Sequence, residues 1–231
     1  EKLISEKTQG VIINSPNNPS GVIYSERSLS ELASLLTRKS KEYGHPIYVI
    51  SDEPYRELTY GKRVSYIPDI YPDTVICYSY SKSLSLPGER IGYIALPDGV
   101  CDIDELYFAV CGAGRSLGYV CAPTFMQKVV GSCTGQVSDL SVYRKNRDNL
   151  YAALTVMGYN CVVPDGAFYL FVKAPGGDAV KFSEKAKELG LLLVPGDGFG
   201  CPGYLRISYC VSEETVRRSL PAFGKAIDLF V

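Results

Sequence analysis

A chain of 231 residues, 46% hydrophobic and 21% charged, has apolar material for one large domain or two modest ones. Its 24 Lys and Arg against 25 Asp and Glu leave a net charge of −1, which argues against a nucleic-acid binder and against a polybasic membrane module. No apolar run reaches the roughly 18–20 residues of a membrane span, and the opening EKLISEKTQG is neither a signal nor a transit peptide. The chain lacks an initiator Met and its first strand arrives almost at once, so it reads as a piece of a longer protein.

In chain order, TQGVIINSP reads as a buried strand ending in a turn. SLSELASLLTRKS is an amphipathic helix, with Ser28 and Glu31 in capping-box positions and Leu29, Leu32, Leu35 and Leu36 on its apolar face. PIYVISDEPY, TVICYSYS and RIGYIALP are three further strands. Mostly unalternated apolar strands interleaved with a helix indicate an α/β sheet covered on both faces, and the short link into RIGYIALP permits an antiparallel pair. Residues 102–134 read as helices, and 139–157 as a long helix stopped by Gly158. Beyond it come a hairpin in CVVPDGAFYLFVKAP, a capped helix ending at Gly190, the strand GYLRISYC and a last helix. Pro221 is expected to kink or restart that helix. The organisation expected is a partial large domain over 1–137, a linking helix over 138–157 and a smaller α+β domain over 158–231.

The eight cysteines include no C-x-x-C, and there is one histidine, so no metal site is expected. Apolar surroundings such as VICYS and ISYCV suggest buried free thiols, and a reducing cytoplasm follows. His45, between a helix and a strand, reads as structural.

Three strand ends carry polar residues in small-residue turns: NSPNNPSG, SDEPY and SYSKS. In open α/β sheets ligands sit at the carboxyl ends of strands. An amide (Asn18), an acid (Asp52), a phenol (Tyr55) and an amine (Lys82) therefore suggest a site. Each has a plainer reading alone: Asn-Pro-Ser-Gly is a common turn, Asp52 a cap, Lys82 a solvated charge, and Arg206 in YLRISY an edge salt bridge. Their order and spacing together are more specific than any one of them.

Taken in order, NSPNNPSG, SDEPY, SYSKSLSLPGERIGY and GYLRIS resemble the class I/II aminotransferases, pyridoxal-phosphate enzymes of the aspartate aminotransferase fold. PDGAFYLF and VPGDGFG extend the likeness over almost the whole chain, the latter as a mobile small-domain loop. The resemblance implies fold type I, α/β, with a mixed sheet whose four visible strands are neighbours. It implies amino transfer between an amino acid and a 2-oxo acid, aspartate aminotransferase-like, and a cytoplasmic homodimer at full length.

By the same resemblance, Lys82 carries the cofactor aldehyde as a Schiff base and then moves the proton at the substrate α-carbon. Asp52 keeps the ring nitrogen protonated, so that the ring can act as an electron sink. Tyr55 and Asn18 face the ring's phenolic oxygen, and Ser79 and Arg90 its phosphate. Arg206 grips the substrate α-carboxylate, helped by Asn18, and Arg115 stands where a second arginine serves dicarboxylic substrates. Relatives have a long N-terminal portion with a glycine-rich phosphate turn and a ring-stacking aromatic. The fragment alone is therefore expected to bind pyridoxal 5'-phosphate weakly and to be inactive, with an uncovered apolar sheet face. Alternatives on the same scaffold are a pyridoxal-phosphate C–S or cyclising lyase and the sensor domain of a regulator.

Overall fold

The computed structural model describes residues 1–230. Contacts divide them into two compact units. One comprises Glu1–Ser15, Tyr24–Glu57 and Arg63–Ser138, the other Pro16–Ile23, Leu58–Lys62 and Asp139 onward.

The first unit is built on a four-stranded sheet in the order β1 (Gly10–Asn14), β2 (Tyr48–Asp52), β3 (Thr74–Ser79), β4 (Gly92–Ala95). The first three are parallel and β4 is antiparallel. A parallel neighbour needs a crossover, and α1 (Glu26–Tyr43) supplies it between β1 and β2. Its apolar face packs Leu29, Ala33 and Leu36 on Ile13, Ile47 and Val49, with Ile67 and Tyr71 closing the cluster. Burying each such side chain is worth about 1.5–3 kcal/mol.

The cap of α1 differs from the expected box. Ser25, not Ser28, is the N-cap; its Oγ accepts from the Ser28 N–H at 3.1 Å. Leu29 is already part of the buried face, so the helix must begin a turn ahead of it. Gly44 ends the helix at φ 75°, a left-handed cap. His45 then turns its two ring nitrogens to the carbonyls of Pro46 (2.9 Å) and Glu6 (2.8 Å), a structural role, and these contacts raise its pKa.

The link from β3 to β4 holds the one-turn helix α2 (Tyr80–Ser83) and a tight turn over Pro87–Glu89. Gly92 is required there: a Cβ would lie 2.3 Å from the Tyr78 carbonyl oxygen. The unit ends with α3 (Ile103–Ser116) and α4 (Thr124–Ser132), whose Met126 and Val130 pack on Ile91. Both edge strands expose an isoleucine, Ile12 at 72% and Ile94 at 50%.

The second unit carries a sheet in the order β5 (Cys161–Val162), β6 (Tyr169–Lys173), β8 (Tyr204–Ser208), β7 (Val194–Pro195), antiparallel throughout. The helices are α5 (Ser141–Val156), α6 (Ala179–Glu188) and α7 (Glu213–Asp228). Tyr159, Phe182, Leu170, Leu205 and Phe223 form the core, with Tyr159 edge-on to both phenylalanines. The buried Asn146 of α5 ties down the carbonyls of Tyr209 and Val211 at 3.1 and 2.8 Å. Remote segments close the unit: Asp165 N–H donates to Gly21 O at 2.8 Å, and Ala167 N–H to Leu58 O at 2.9 Å.

One expectation is corrected here. The last helix does not restart at Pro221: the proline lies inside α7, which runs through it as one element. The buried Val216, Phe223, Ala226 and Ile227 hold the helix on both sides of the missing N–H, so packing outweighs the lost hydrogen bond. Within the segment VPGDGFG, β7 pairs with β8 and a tight turn over Gly196–Phe199 follows.

The cysteines are also corrected. All eight are free thiols, but none is buried: Cys77, Cys133 and Cys161 are half-buried and the other five exposed. A cysteine flanked by apolar residues need not itself face the core, because neighbours in a strand point to opposite faces. Among the described residues no helix is long and apolar enough to cross a membrane, and no group of three His, Cys, Asp or Glu stands ready for a metal ion.

Candidate active site

The candidate residues divide between the two units. In the first, the parallel ladder ends with Asn14 opposite Asp52, and Asp52 opposite Cys77 on β3. Asp52 is half-buried. Its pKa is raised by burial first and by the neighbouring Glu53 charge second. Glu53 itself is buried, accepting from Ser51 Oγ at 2.8 Å and pairing with Arg56. Asn14 Nδ2 donates to both the main-chain oxygen of Asp52 (2.9 Å) and its Oδ2 (3.1 Å).

Tyr55 is buried in the turn after β2, and the Nζ of Lys82 lies 6.0 Å from the centre of its ring. The acid, the phenol and the amine thus belong to one unit, at the carboxyl ends of adjacent strands. Ser79 closes β3 and caps α2: its Oγ accepts from Ser81 N–H at 3.2 Å and donates to Ser81 Oγ at 2.8 Å. This cap turns the chain out of the strand and puts Lys82 on a helical turn.

Arg90 is exposed, and its Nη1 donates to the Pro87 carbonyl at 2.8 Å. Its backbone, like that of Ser85, is left-handed, at φ 52° and 54°. Such residues cost roughly 1–2 kcal/mol each and tend to persist at ligand sites. Arg115 is exposed in the last turn of α3, where a cation also suits the helix C-terminus.

In the second unit, the Asn-Pro-Ser-Gly stretch is a turn, as its composition suggests. Asn17 Oδ1 accepts from Ser20 N–H and Oγ, and Gly21 sits at φ 70° where a Cβ would meet Pro164 at 2.6 Å. The turn places Asn18 so that its Oδ1 accepts from Arg206 Nη1 at 2.9 Å. The Arg206 guanidinium carbon lies 4.6 Å from the Tyr169 ring centre and 4.8 Å from that of Phe199. Its Nε is buried with no hydrogen-bond partner, which is rare for a charged donor. An oriented guanidinium with an unspent donor suits a carboxylate.

Three residues here escaped the sequence reading. Asn14 looked like part of a strand end, and only the β1–β2 register shows it opposite Asp52. Tyr169 in AFYLF and Phe199 in GDGFG gave no signal of their own, since an aromatic side chain in a strand or loop does not say what it packs against.

The sequence profile of "Aminotransferase class I and II" matches residues 1–223. The aspartate aminotransferase of Bacillus subtilis is 34% identical over 245 residues, covering 97% of this chain and 59% of that protein. The aspartate/prephenate aminotransferase of Thermus thermophilus is 30% identical over 237 residues, covering 98% and 58%. The crystal structure of an amino transferase from Eubacterium rectale superposes with a TM-score of 0.96 at 57% identity, covering 99% of this chain and 58% of that one. The chain thus spans under three-fifths of the length of these relatives. With the profile running through every residue that carries the candidate chemistry, the chain belongs to the class I and II aminotransferase family.

Proposed function

We propose that the protein carrying this chain moves an amino group between an amino acid and a 2-oxo acid with pyridoxal 5'-phosphate, in the manner of an aspartate aminotransferase. The observation that carries this reading is the grouping of Asp52, Tyr55 and Lys82 at the ends of β2 and β3, with the Lys82 amine 6.0 Å from the Tyr55 ring. The residues fit the cofactor. Burial and Glu53 both disfavour the charge on Asp52, and a cationic ring nitrogen beside it relieves both. When bound, the cofactor supplies an electron sink for the substrate α-carbon.

The chain's own groups then do the following. Lys82 holds the cofactor and moves the proton at the α-carbon. Asp52 holds the proton on the ring nitrogen. Tyr55 and Asn18 donate to the ring oxygen, and Asn18 also accepts from Arg206 through Oδ1. Ser79 and Arg90 take the phosphate. Arg206 grips the α-carboxylate, its face set by Tyr169 and Phe199. Arg115 serves a second carboxylate. The eight free thiols fit a cytoplasmic protein, and the exposed Tyr107, Phe108, Tyr119 and Phe125 fit a homodimer.

Borohydride reduction of the loaded protein followed by peptide mapping tests this. Label is expected on Lys82, and Lys82→Ala is expected to abolish turnover of an amino-acid panel while the fold persists. Label on another lysine overturns the assignment.

A further inference from the structure

Asn14 and Asp52 are the last pair of the β1–β2 ladder. One amide group of Asn14 bridges two acceptors on the same residue, the main-chain oxygen of Asp52 and its Oδ2. The first bond merely extends the ladder. The second is not needed to hold two strands together. An amide NH2 that donates both to a residue's main-chain oxygen and to its carboxylate ties the two together, which restrains the carboxyl group from swinging about its own main chain.

Building on the assignment of Asp52 to the cofactor's ring nitrogen, we propose that Asn14 is a positioning residue for that carboxylate, setting its direction and favouring its ionised form.

The surroundings explain why such a residue is useful. The groups facing Asp52 are Glu53 beside it, Cys77 across on β3 and Asn14 across on β1; Glu53 in turn is held by Ser51 and Arg56. Glu53 repels the charge on Asp52, and the Cys77 thiol, pushed up by burial and by both acids, offers no cation. An N–H donor to a carboxylate favours its charged form. An amide does this at every pH and adds no charge to compete with the ring nitrogen. Tyr55, Lys82 and Ser79 bind or react, whereas the role proposed for Asn14 runs through Asp52.

The test compares Asn14→Leu, which keeps the size and removes the donor, with Asn14→Asp, which puts an acceptor in its place. In the whole apoprotein with carboxyl-13C aspartate, the Asp52 signal is identified by its loss in Asp52→Asn. Both variants are expected to move its titration to higher pH, Asn14→Asp further. In the loaded protein, the signal of a 15N-labelled cofactor ring nitrogen is expected to shift towards its unprotonated position. The value of kcat is expected to fall by about 10–100-fold, as when a reacting group is slightly misplaced.

Should Asn14→Leu fail to fold, Asn14→Asp carries the test. An Asp52 titration unchanged from wild type in the folded variants overturns the proposal. If instead Asp52→Asn keeps the wild-type ring-nitrogen signal, the assignment of Asp52 is what fails, and the proposal falls with it for that separate reason.

Discussion

Arg206 shows how far a single residue can be read. As a lone arginine in YLRISY it is a strand-edge cation. The structure adds three constraints: a hydrogen bond to Asn18, rings at 4.6 and 4.8 Å, and a buried Nε without a partner. Lysine keeps the charge but loses the planar fork and the ring stacking. On the proposed function, Arg206→Lys in the whole protein is expected to raise the KM for the amino acid about 10–100-fold, the worth of a charge-assisted hydrogen bond, with little change in cofactor affinity. Steady-state kinetics beside a cofactor titration read the two separately, and equal losses in both make Arg206 structural. The resemblance of GYLRIS to the family motif exposed this candidate. It did not expose Tyr169 or Phe199, because an aromatic side chain looks the same in a core as against a guanidinium. The cysteines failed for a related reason: apolar neighbours along the chain do not say which way a thiol points.

At the scale of elements, periodicity served well wherever an apolar face met a core. The strands of the first sheet, the helix between the first two, the antiparallel turn into β4 and the hairpin of the second unit were all legible. Ends and interruptions were harder. The cap of α1 lies at Ser25, three residues ahead of the serine that matched a capping box. Removing it with Ser25→Ala is expected to cost about 1 kcal/mol of the first unit's stability, against almost nothing for Ser28→Ala if Ser25 remains. Denaturant melts of both variants check this, and equal losses would return the cap to Ser28. Pro221 failed as a breaker because α7 is held by four buried side chains spread along its length, and local propensity is a weak prior against that much packing.

At the scale of the whole molecule, α3, the loop after it and the start of α4 leave Tyr107, Phe108, Tyr119 and Phe125 between 58% and 75% exposed. Such a run of aromatic surface favours self-association. If the proposed homodimer uses this surface, Phe108→Glu is expected to shift the whole protein towards monomer in sedimentation experiments, and an unchanged oligomeric state places the interface elsewhere. The units themselves are discontinuous, with Pro16–Ile23 and Leu58–Lys62 packed into the second. Sequence by itself determined the class of fold, the family and the residue types available for chemistry. Those follow from hydrophobic period and from short ordered motifs, which are local properties of the chain. Tertiary structure alone decided that Asn14 faces Asp52, that aromatic rings hold Arg206, and which remote segments close a unit. Each depends on strand register or on contacts between residues far apart in sequence, and no local pattern carries that information.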